Sequence, residues 1–267
     1  MKQTLDEATS AVLEAADLIL KMKAEGVSQE LKEDNSPVTD ADRKAEALIR
    51  KRLLTAFPGY GFIGEEFKDT ASQNGLYWTC DPIDGTWSYL NGESTCTTSL
   101  SLMKDDETLL AVIYNPFTRE LFQGASGIPG TWNTLPMPLV FKKDLEDSVV
   151  NFFVHRSRLE DVMTLYQLRE KKVINKMVSM GGSVAYALAM VAKGAHNVFI
   201  GLSSRKSNIW DMSAGIFLVR SVGGLVTDLT GNDIGPETRP FSPIIASSHP
   251  HIHDEILEVL NGVNFAS

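Results

Sequence analysis

A layered α/β architecture is the fold class this sequence predicts, and three patterns predict it. Apolar residues recur at helical spacing over residues 4–24, through Leu5, Ala8, Val12, Ala15, Ala16, Ile19 and Met22. That is the signature of an amphipathic helix. Short apolar runs follow between residues 61 and 124, separated by turn residues such as Asp105-Asp106 and Asn115-Pro116, as strands are. From residue 148 onward the pattern alternates strand with helix, an order that favours helices packed on sheets.

Gly26 is the natural stop of the first helix, and the polar stretch Gln29–Ser36 reads as a loop or hairpin near a functional edge. Pro37 introduces a second helix from Thr39 to Phe57, which Pro58-Gly59 ends. Gly61–Gly64 is a short strand leading into Glu65-Glu66. Leu76–Cys80 is a buried strand by its length and aromatic content. Thr86 can cap a short helix through Trp87-Ser88-Tyr89-Leu90. Strands are expected at 95–103, 109–114 and 120–124.

Around 127–144 the pattern loosens, punctuated by Gly127, Pro129, Gly130, Pro136 and Pro138. A boundary at its end divides an N-terminal α+β half, 1–144, from a C-terminal α/β half, 145–267. The second half reads as strand 148–154, helix 158–170, strand 172–178 and helix 183–193, with Ser183 as N-cap and Gly194 as stop. Strand 196–201, helix 211–222, strand 224–228 and a terminal helix 252–261 complete it. There are no internal repeats and no low-complexity tract.

A length of 267 residues allows a sizeable core. A net charge of −9 argues against a nucleic-acid surface, which needs a clustered basic face. It remains compatible with an anionic substrate, because a bound cation reverses the local field. The two cysteines, Cys80 and Cys96, lie in apolar contexts and read as reduced core thiols. The N-terminus has no basic-then-apolar leader pattern, and no apolar run is long enough to span a membrane. A soluble cytoplasmic protein without membrane or nucleic-acid partners is the expectation.

The chemistry concentrates in Asp81-Pro82-Ile83-Asp84-Gly85-Thr86, two carboxylates at the end of an apolar strand. Buried unpaired carboxylates are very costly, and the simplest balance for clustered oxygens is a hard divalent cation, Mg²⁺ or Mn²⁺. The start of the helix that follows is a natural seat for a phosphate. Three other acidic places stand at element ends: Asp42, Glu65-Glu66 and Asp211. Singly, each has a plain reading. Asp42 suits a capping box, Asp211 an N-cap, Glu65-Glu66 a solvated surface and Asp84-Gly85 a turn. Their combination points to a site.

Gly64-Glu65-Glu66, Asp81–Thr86, and Trp210-Asp211 with Gly223-Gly224 behind it, in this order and spacing, resemble the inositol monophosphatase superfamily. Ser36–Asp42 and Ala111–Pro116 fit the same pattern, so the resemblance runs from about residue 36 to about 230. These are Mg²⁺-dependent, typically lithium-sensitive phosphomonoesterases. The resemblance implies a layered αβαβα sandwich, with Asp211 and a substrate loop contributed by the C-terminal half. It implies that Glu65, Asp81, Asp84, Asp211 and the carbonyl of Ile83 hold two or three Mg²⁺ ions, for which Mn²⁺ can substitute. Glu65 then also orients the attacking water. Thr86 corresponds to the family's active-site threonine, with Asp42 accepting its proton, and the amides of Gly85 and Thr86 cradle the phosphate. Gly181–Ala185 resembles the substrate loop, placing Gly182, Ser183 and Val184 at the substrate beside Asp84, Gly85, Thr86 and Asp211. For Gly181 a bare helix-starting turn is an equal reading. A homodimer is expected on the same ground.

The pattern also departs from the family. Inositol-type members carry a glutamate shortly before the Trp-Asp pair, whereas Val198–Ile209 here holds no acid and offers Arg205 and Lys206. This counts against inositol phosphate and favours a second anionic group on the substrate, held by Arg205. A solvated basic loop is the plain alternative. Trp87-Ser88-Tyr89 replaces the usual residues after the threonine, and Ser36-Pro37-Val38-Thr39 is closer to the histidinol-phosphate and phosphoadenosine branches. His155-Arg156-Ser157-Arg158 ends a strand within possible reach of a substrate. His249-Pro250-His251-Ile252-His253 reads as a surface connection rather than a metal cluster. The expected function is Mg²⁺-dependent hydrolysis of a small phosphate monoester, inositol-1-phosphate-like or of another sugar or alcohol. The alternatives are histidinol phosphate, a 3′-phosphoadenosine nucleotide, and, from another class, a regulatory protein-binding role on the same fold.

Overall fold

Helix α1 (Lys2–Glu25) buries Leu5, Ala8, Val12, Ile19 and Met22 along one stripe and stops at Gly26, whose φ of 93° suits glycine. The computed structural model describes residues 1–32, 36–138, 142, 144–154, 159–202, 207–235 and 243–262. Strands β1 (Gln29–Leu31) and β2 (Pro37–Thr39) pair antiparallel, so the polar stretch is the hairpin alternative. Pro37 lies in β2, just ahead of the helix it introduces. Helix α2 (Asp40–Ala56) begins at a capping box between Thr39 and Asp42.

The first sheet has seven strands in sequential order: β3 (Gly61–Gly64), β4 (Leu76–Asp84), β5 (Thr97–Lys104), β6 (Glu107–Asn115), β7 (Glu120–Ala125), β8 (Ile128–Trp132) and β9 (Leu135–Pro136). Only β3 and β4 run parallel; the remaining pairs are antiparallel. Strands β8 and β9 occupy the stretch whose pattern loosens. β9 is the edge strand and carries Pro136, while Pro129 of β8 falls where the register with β7 shifts; edges and bulges are the places in a sheet that tolerate proline. Helix α3 (Thr86–Asn91) follows β4 after Gly85, which is its N-cap, so Thr86 is the first helical residue and not the cap.

The second sheet runs β11-β10-β12-β14-β13, with β10 (Val149–Val154), β11 (Lys176–Val178), β12 (Val198–Leu202), β13 (Leu225–Thr227) and β14 (Ile244–Ser247). β10 lies parallel to β11 and β12, while β14 runs antiparallel to its two neighbours. Its helices are α4 (Leu159–Glu170), α5 (Val184–Lys193), α6 (Ile209–Ser221) and α7 (Pro250–Asn261). Asp211 is not the N-cap of α6. Asn208 is, and Asp211 stands at the third helical position, closing a capping box.

Three apolar clusters account for the layering. Leu100, Leu102, Leu110 and Val112 of the first sheet pack with Ala8, Ala11, Ala45 and Ile49 of α1 and α2. On the opposite face, Ala111, Ile113 and Phe122 pack with Leu188 and Met212 of α5 and α6, which also meet Phe199 and Ala246 of the second sheet. The outer face of that sheet, through Val150, Ile200 and Ile245, packs with Leu165 of α4 and with Ile252 and Ile256 of α7. Strand residues alternate between faces because of the period of two. The result is the expected αβαβα sandwich.

His249 caps α7 by accepting from the His251 amide, and His253 is buried with its ring nitrogens at Thr227 Oγ1 (2.8 Å) and Ser247 Oγ (3.0 Å). The histidine run is thus partly core, not a surface connection, because a helix begins inside it. Cys80 and Cys96 are buried, free thiols. Among the described residues, no helix is long and apolar enough to cross a membrane.

Candidate active site

At its C-terminal end β4 breaks register with β5 between Asp81 and Asp84. Such a bulge turns side chains away from strict alternation, and Pro82 is tolerated there because no ladder donor is required. Asp81 Oδ1 accepts from the Ile83 amide at 3.0 Å, and Thr98 Oγ1 donates to the Pro82 carbonyl at 2.8 Å. The carboxylates of Asp81 and Asp84 are consequently held at the sheet edge in a buried turn.

The C-terminal half reaches this turn by two routes. Ser183 caps α5, and its hydroxyl donates to Asp84 Oδ2 at 2.6 Å; the Ala185 amide donates to the same oxygen at 2.8 Å. Gly182 has φ of 106°, and a side chain there would fall on the Thr95 carbonyl and the Ser88 hydroxyl. Only glycine suits both conditions. Gly181 has open space at the same test. The second route is α6, which packs against β4 and β5 and carries Asp211. Thr79 Oγ1, Ser101 Oγ and Ser213 Oγ form a buried triangle across this contact, with sides of 2.6, 2.9 and 2.8 Å.

A cavity of about 560 Å³ opens over these elements. It is lined by Glu65, Asp81, Ile83, Asp84, Gly85, Thr86, Gly182, Val184 and Asp211 of the expected site. Ser183 lies behind the wall, spent on Asp84. Asp42 is reached indirectly: Oδ2 accepts from the Thr39 amide and hydroxyl, while Oδ1 faces Thr86 Oγ1 at 3.3 Å. Asp42 is therefore both a capping residue and a neighbour of the site. Thr86 Oγ1 also lies 3.2 Å from the Ile83 carbonyl. Arg205, Lys206 and His155–Arg158 lie outside the described residues.

Glu66 is not a solvated charge. Lys32 Nζ donates to Glu65 Oε1 at 2.6 Å and to Glu66 Oε1 at 2.7 Å, with the Glu66 side chain only 4 % exposed. Glu46, fully buried, accepts from the Glu66 amide at 2.7 Å and pairs with Arg50 at 2.8 Å. A side chain at Gly64 would land on the Glu46 carboxylate, which explains the glycine before the two glutamates. Lys32, Glu46 and the hydroxyl triangle were not singled out by the sequence. Only the polar hairpin signal around Lys32 pointed that way.

Electrostatics show what the cavity lacks. Burial, then repulsion from Glu65, Asp84 and Asp211, pushes the Asp81 carboxyl well above the usual range. Burial lifts Asp84 to about 7 against its hydrogen bonds from Ser183 and Ala185. Asp211 is raised well by burial and by Asp84. Burial lifts Asp42 to about 7 despite the Thr39 hydrogen bonds. Lys32 loses basicity by burial, but the two glutamates outweigh this and raise it. Five carboxylates, those of Glu65, Asp81, Asp84, Glu93 and Asp211, line the cavity, and among its described lining residues there is no lysine or arginine.

Among the described residues, no three acidic, histidine or cysteine side chains converge tightly enough in this conformation to enclose an ion. Glu65 is turned to Lys32, and Asp211 Oδ2 accepts from the Asn208 amide at 2.7 Å. The donors fit a hard cation in kind: all are oxygen, buried at Asp81 and Asp84 and half-buried at Glu65 and Asp211, and short of positive charge.

The inositol monophosphatase family model matches residues 1–264. An inositol-1-monophosphatase of Rhizobium meliloti is 36% identical over 196 residues, 73% of each chain. Inositol-1-monophosphatase ImpA of Mycolicibacterium smegmatis is 32% identical over 270 residues, covering 97% of this chain and 93% of that one. The crystal structure of the extragenic suppressor protein suhB from Bartonella henselae superposes with a TM-score of 0.84 at 29% identity, covering 97% and 98% of the two chains. With the match spanning both sheets and every acidic cluster described above, the chain belongs to the inositol monophosphatase family.

Proposed function

We propose that this protein is a Mg²⁺-dependent phosphomonoesterase acting on a small phosphorylated metabolite. The observation that carries this reading is the acid-lined cavity with no described base. A phosphate dianion cannot enter five carboxylates unless cations accompany it. Family membership supports hydrolysis as the reaction, and its curated relatives include inositol-1-monophosphatases.

Glu65, Asp81, Asp84, Asp211 and the Ile83 carbonyl would hold the metal. Bound there, Mg²⁺ would neutralise the phosphoryl oxygens and lower the pKa of water at neutral pH. The chain's own groups supply the rest. Glu65, once released from Lys32, orients the attacking water. Thr86 relays a proton from the attacking water to Asp42: its Oγ takes the water's proton as its own hydroxyl proton passes to Asp42 Oδ1, whose carboxyl at about 7 is poised to accept it near neutral pH. Gly85 and Thr86 line the cavity, where their amides would donate to non-bridging phosphate oxygens. Asp84, gripped by Ser183 and Ala185, ties the substrate loop to the metal site.

Phosphate release from a panel of small phosphomonoesters, with and without Mg²⁺, tests the reading. Release that requires Mg²⁺ and disappears in Asp84→Asn is expected. Absence of release from every substrate would overturn it in favour of a binding role on the same fold.

A further inference from the structure

Helix α3 ends in a way that returns one more carboxylate to the cavity. Gly92 takes φ of 76°, and its amide donates to the Tyr89 carbonyl at 3.2 Å, while the Glu93 amide reaches the Ser88 carbonyl at 2.9 Å. In a glycine cap of this kind the residue after the glycine is turned back onto the last helical turn. Glu93 Oε2 accordingly accepts from Ser88 Oγ at 3.1 Å, and Ser88 Oγ accepts from Thr95 Oγ1 at 2.9 Å. The Glu93 side chain is exposed and lines the cavity, and among the described residues no lysine or arginine pairs with it.

Glu93 differs from the other four acids of the cavity. Glu65, Asp81, Asp84 and Asp211 are the groups that would hold the metal, whose charge then offsets theirs. Glu93 belongs to the end of α3, and its charge stays uncompensated. Around it the wall is polar: Ser36, Ser88 and Asn91 also line the cavity, beside the indole of Trp87, 60 % exposed. Hydroxyl and amide side chains both donate and accept, so they accommodate sugar hydroxyls without reading charge. A carboxylate only accepts, and an indole face attracts cations. Such a wall suits a polyhydroxylated alcohol with an ammonium group and disfavours one with a second anion. That is the reverse of the preference Arg205 would confer.

Building on the phosphatase reading, we propose that Glu93 selects the charge of the leaving alcohol, and that the substrate class is the phosphate monoester of an amino sugar. Glu93 pairs with the ammonium group, and Ser36 and Asn91 meet the sugar hydroxyls. The phosphoryl group stays with the metal-holding acids, beyond the reach of this selection.

The test uses glucosamine 6-phosphate, glucose 6-phosphate and 6-phosphogluconate, esters of similar size whose alcohols are cationic, neutral and anionic, with Mg²⁺ at neutral pH. In wild type kcat/KM should fall in that order, by about tenfold from first to last. Glu93→Gln keeps an oxygen for Ser88 but removes the charge, and should bring that ratio to about twofold or less. Glu93→Lys should invert it. Added salt should narrow the wild-type ratio and leave that of Glu93→Gln nearly level. A wild-type ratio near one overturns the inference, as does a preference for 6-phosphogluconate or a ratio that survives Glu93→Gln. An equal loss on all three esters overturns it too, leaving Glu93 a cap residue. Calorimetric affinities of the same esters give the order without turnover. If no phosphomonoester releases phosphate, the phosphatase reading fails, and those affinities decide. The same order, lost in Glu93→Gln, sustains the charge selection; equal or undetectable binding overturns it.

Discussion

Thr79 Oγ1 and Ser213 Oγ lie 2.9 Å apart in the buried contact between β4 and α6. Thr79 precedes Asp81 by two residues, and Ser213 follows Asp211 by two. Ser101 completes the triangle, and Ser99 Oγ donates to the Trp210 carbonyl at 3.0 Å. These hydroxyls fix the relative position of two carboxylates that come from different sheets' worth of chain. Ser213→Ala should cost about 1 kcal/mol of stability and raise the Mg²⁺ concentration needed for half-maximal phosphate release severalfold. Ser213→Thr should restore part of both. Melting curves and Mg²⁺ titrations would reveal either a matched loss or an unchanged metal requirement; the latter would make the triangle merely structural.

Asp84→Asn keeps an oxygen acceptor for Ser183 and Ala185 but removes the charge. Phosphate release should fall at least about a hundredfold, while the metal-free melting temperature stays level or rises, since burial already disfavours that charge. A large drop in melting temperature would mean that Asp84 serves the fold first.

Mg²⁺ should stabilise the folded protein by mass action. At saturation an increase in melting temperature of about 5 °C is expected at pH 8, smaller at pH 5, and absent in Asp84→Asn. Chelator should reverse it. Thermal scans with and without EDTA decide this, and a shift of the same size in Asp84→Asn would locate the ion elsewhere.

In the metal-free protein, Asp42 gives stability a pH dependence of defined sign. Its carboxyl is raised to about 7 by burial, against about 3.9 in an unfolded chain. Between those values the folded state binds more protons, so stability falls as pH rises through the window and is lowest above it. For this one group the change is about 4 kcal/mol at most. His196, held at about 4 by burial, acts oppositely as pH falls from its ordinary range. The measure is therefore the difference between wild type and Asp42→Asn in urea midpoints at pH 4.5 and pH 8 with chelator. No flattening in the variant would remove Asp42 as the cause.

Gly182→Ala and Gly181→Ala should part company. The first forces a side chain onto a φ of 106° and into Thr95 and Ser88, costing about 2 kcal/mol or more and loosening Ser183 from Asp84. The second meets open space and should be near neutral. Denaturation midpoints of both variants are the check, and equal effects would refute this reading of the loop.

How much of this was legible in the sequence follows from what each signal depends on. The helical stripe of α1, the cap and stop of α5 and the apolar runs of β5 and β6 between turn residues are local signals, and they were readable. The acids were readable because they sit in a motif of fixed order. Strands β8 and β9 were not, since Pro129, Gly130 and Pro136 read as loop, while a register shift in β8 and the sheet edge at β9 accommodate them. Glu46 carries no local mark of its role. It is one more helical glutamate until Gly64 lets its carboxylate pass beneath the Glu65-Glu66 turn. Lys32 is likewise defined only by what the hairpin brings it against. Trp87 was visible as a departure from the family, but its exposure at the cavity could come only from three dimensions.

Helix α6 touches β4, β5 and β6 of one sheet and β13 and β14 of the other. The cavity has a floor from one and a wall from the other, and neither alone has a working centre. If the backbone were severed in the stretch joining the two sheets, catalysis would become a two-body event. Its rate would scale with the product of the two fragment concentrations when both are dilute, and would saturate once their association is complete. Phosphate release would then serve as a gauge of how tightly α6 docks.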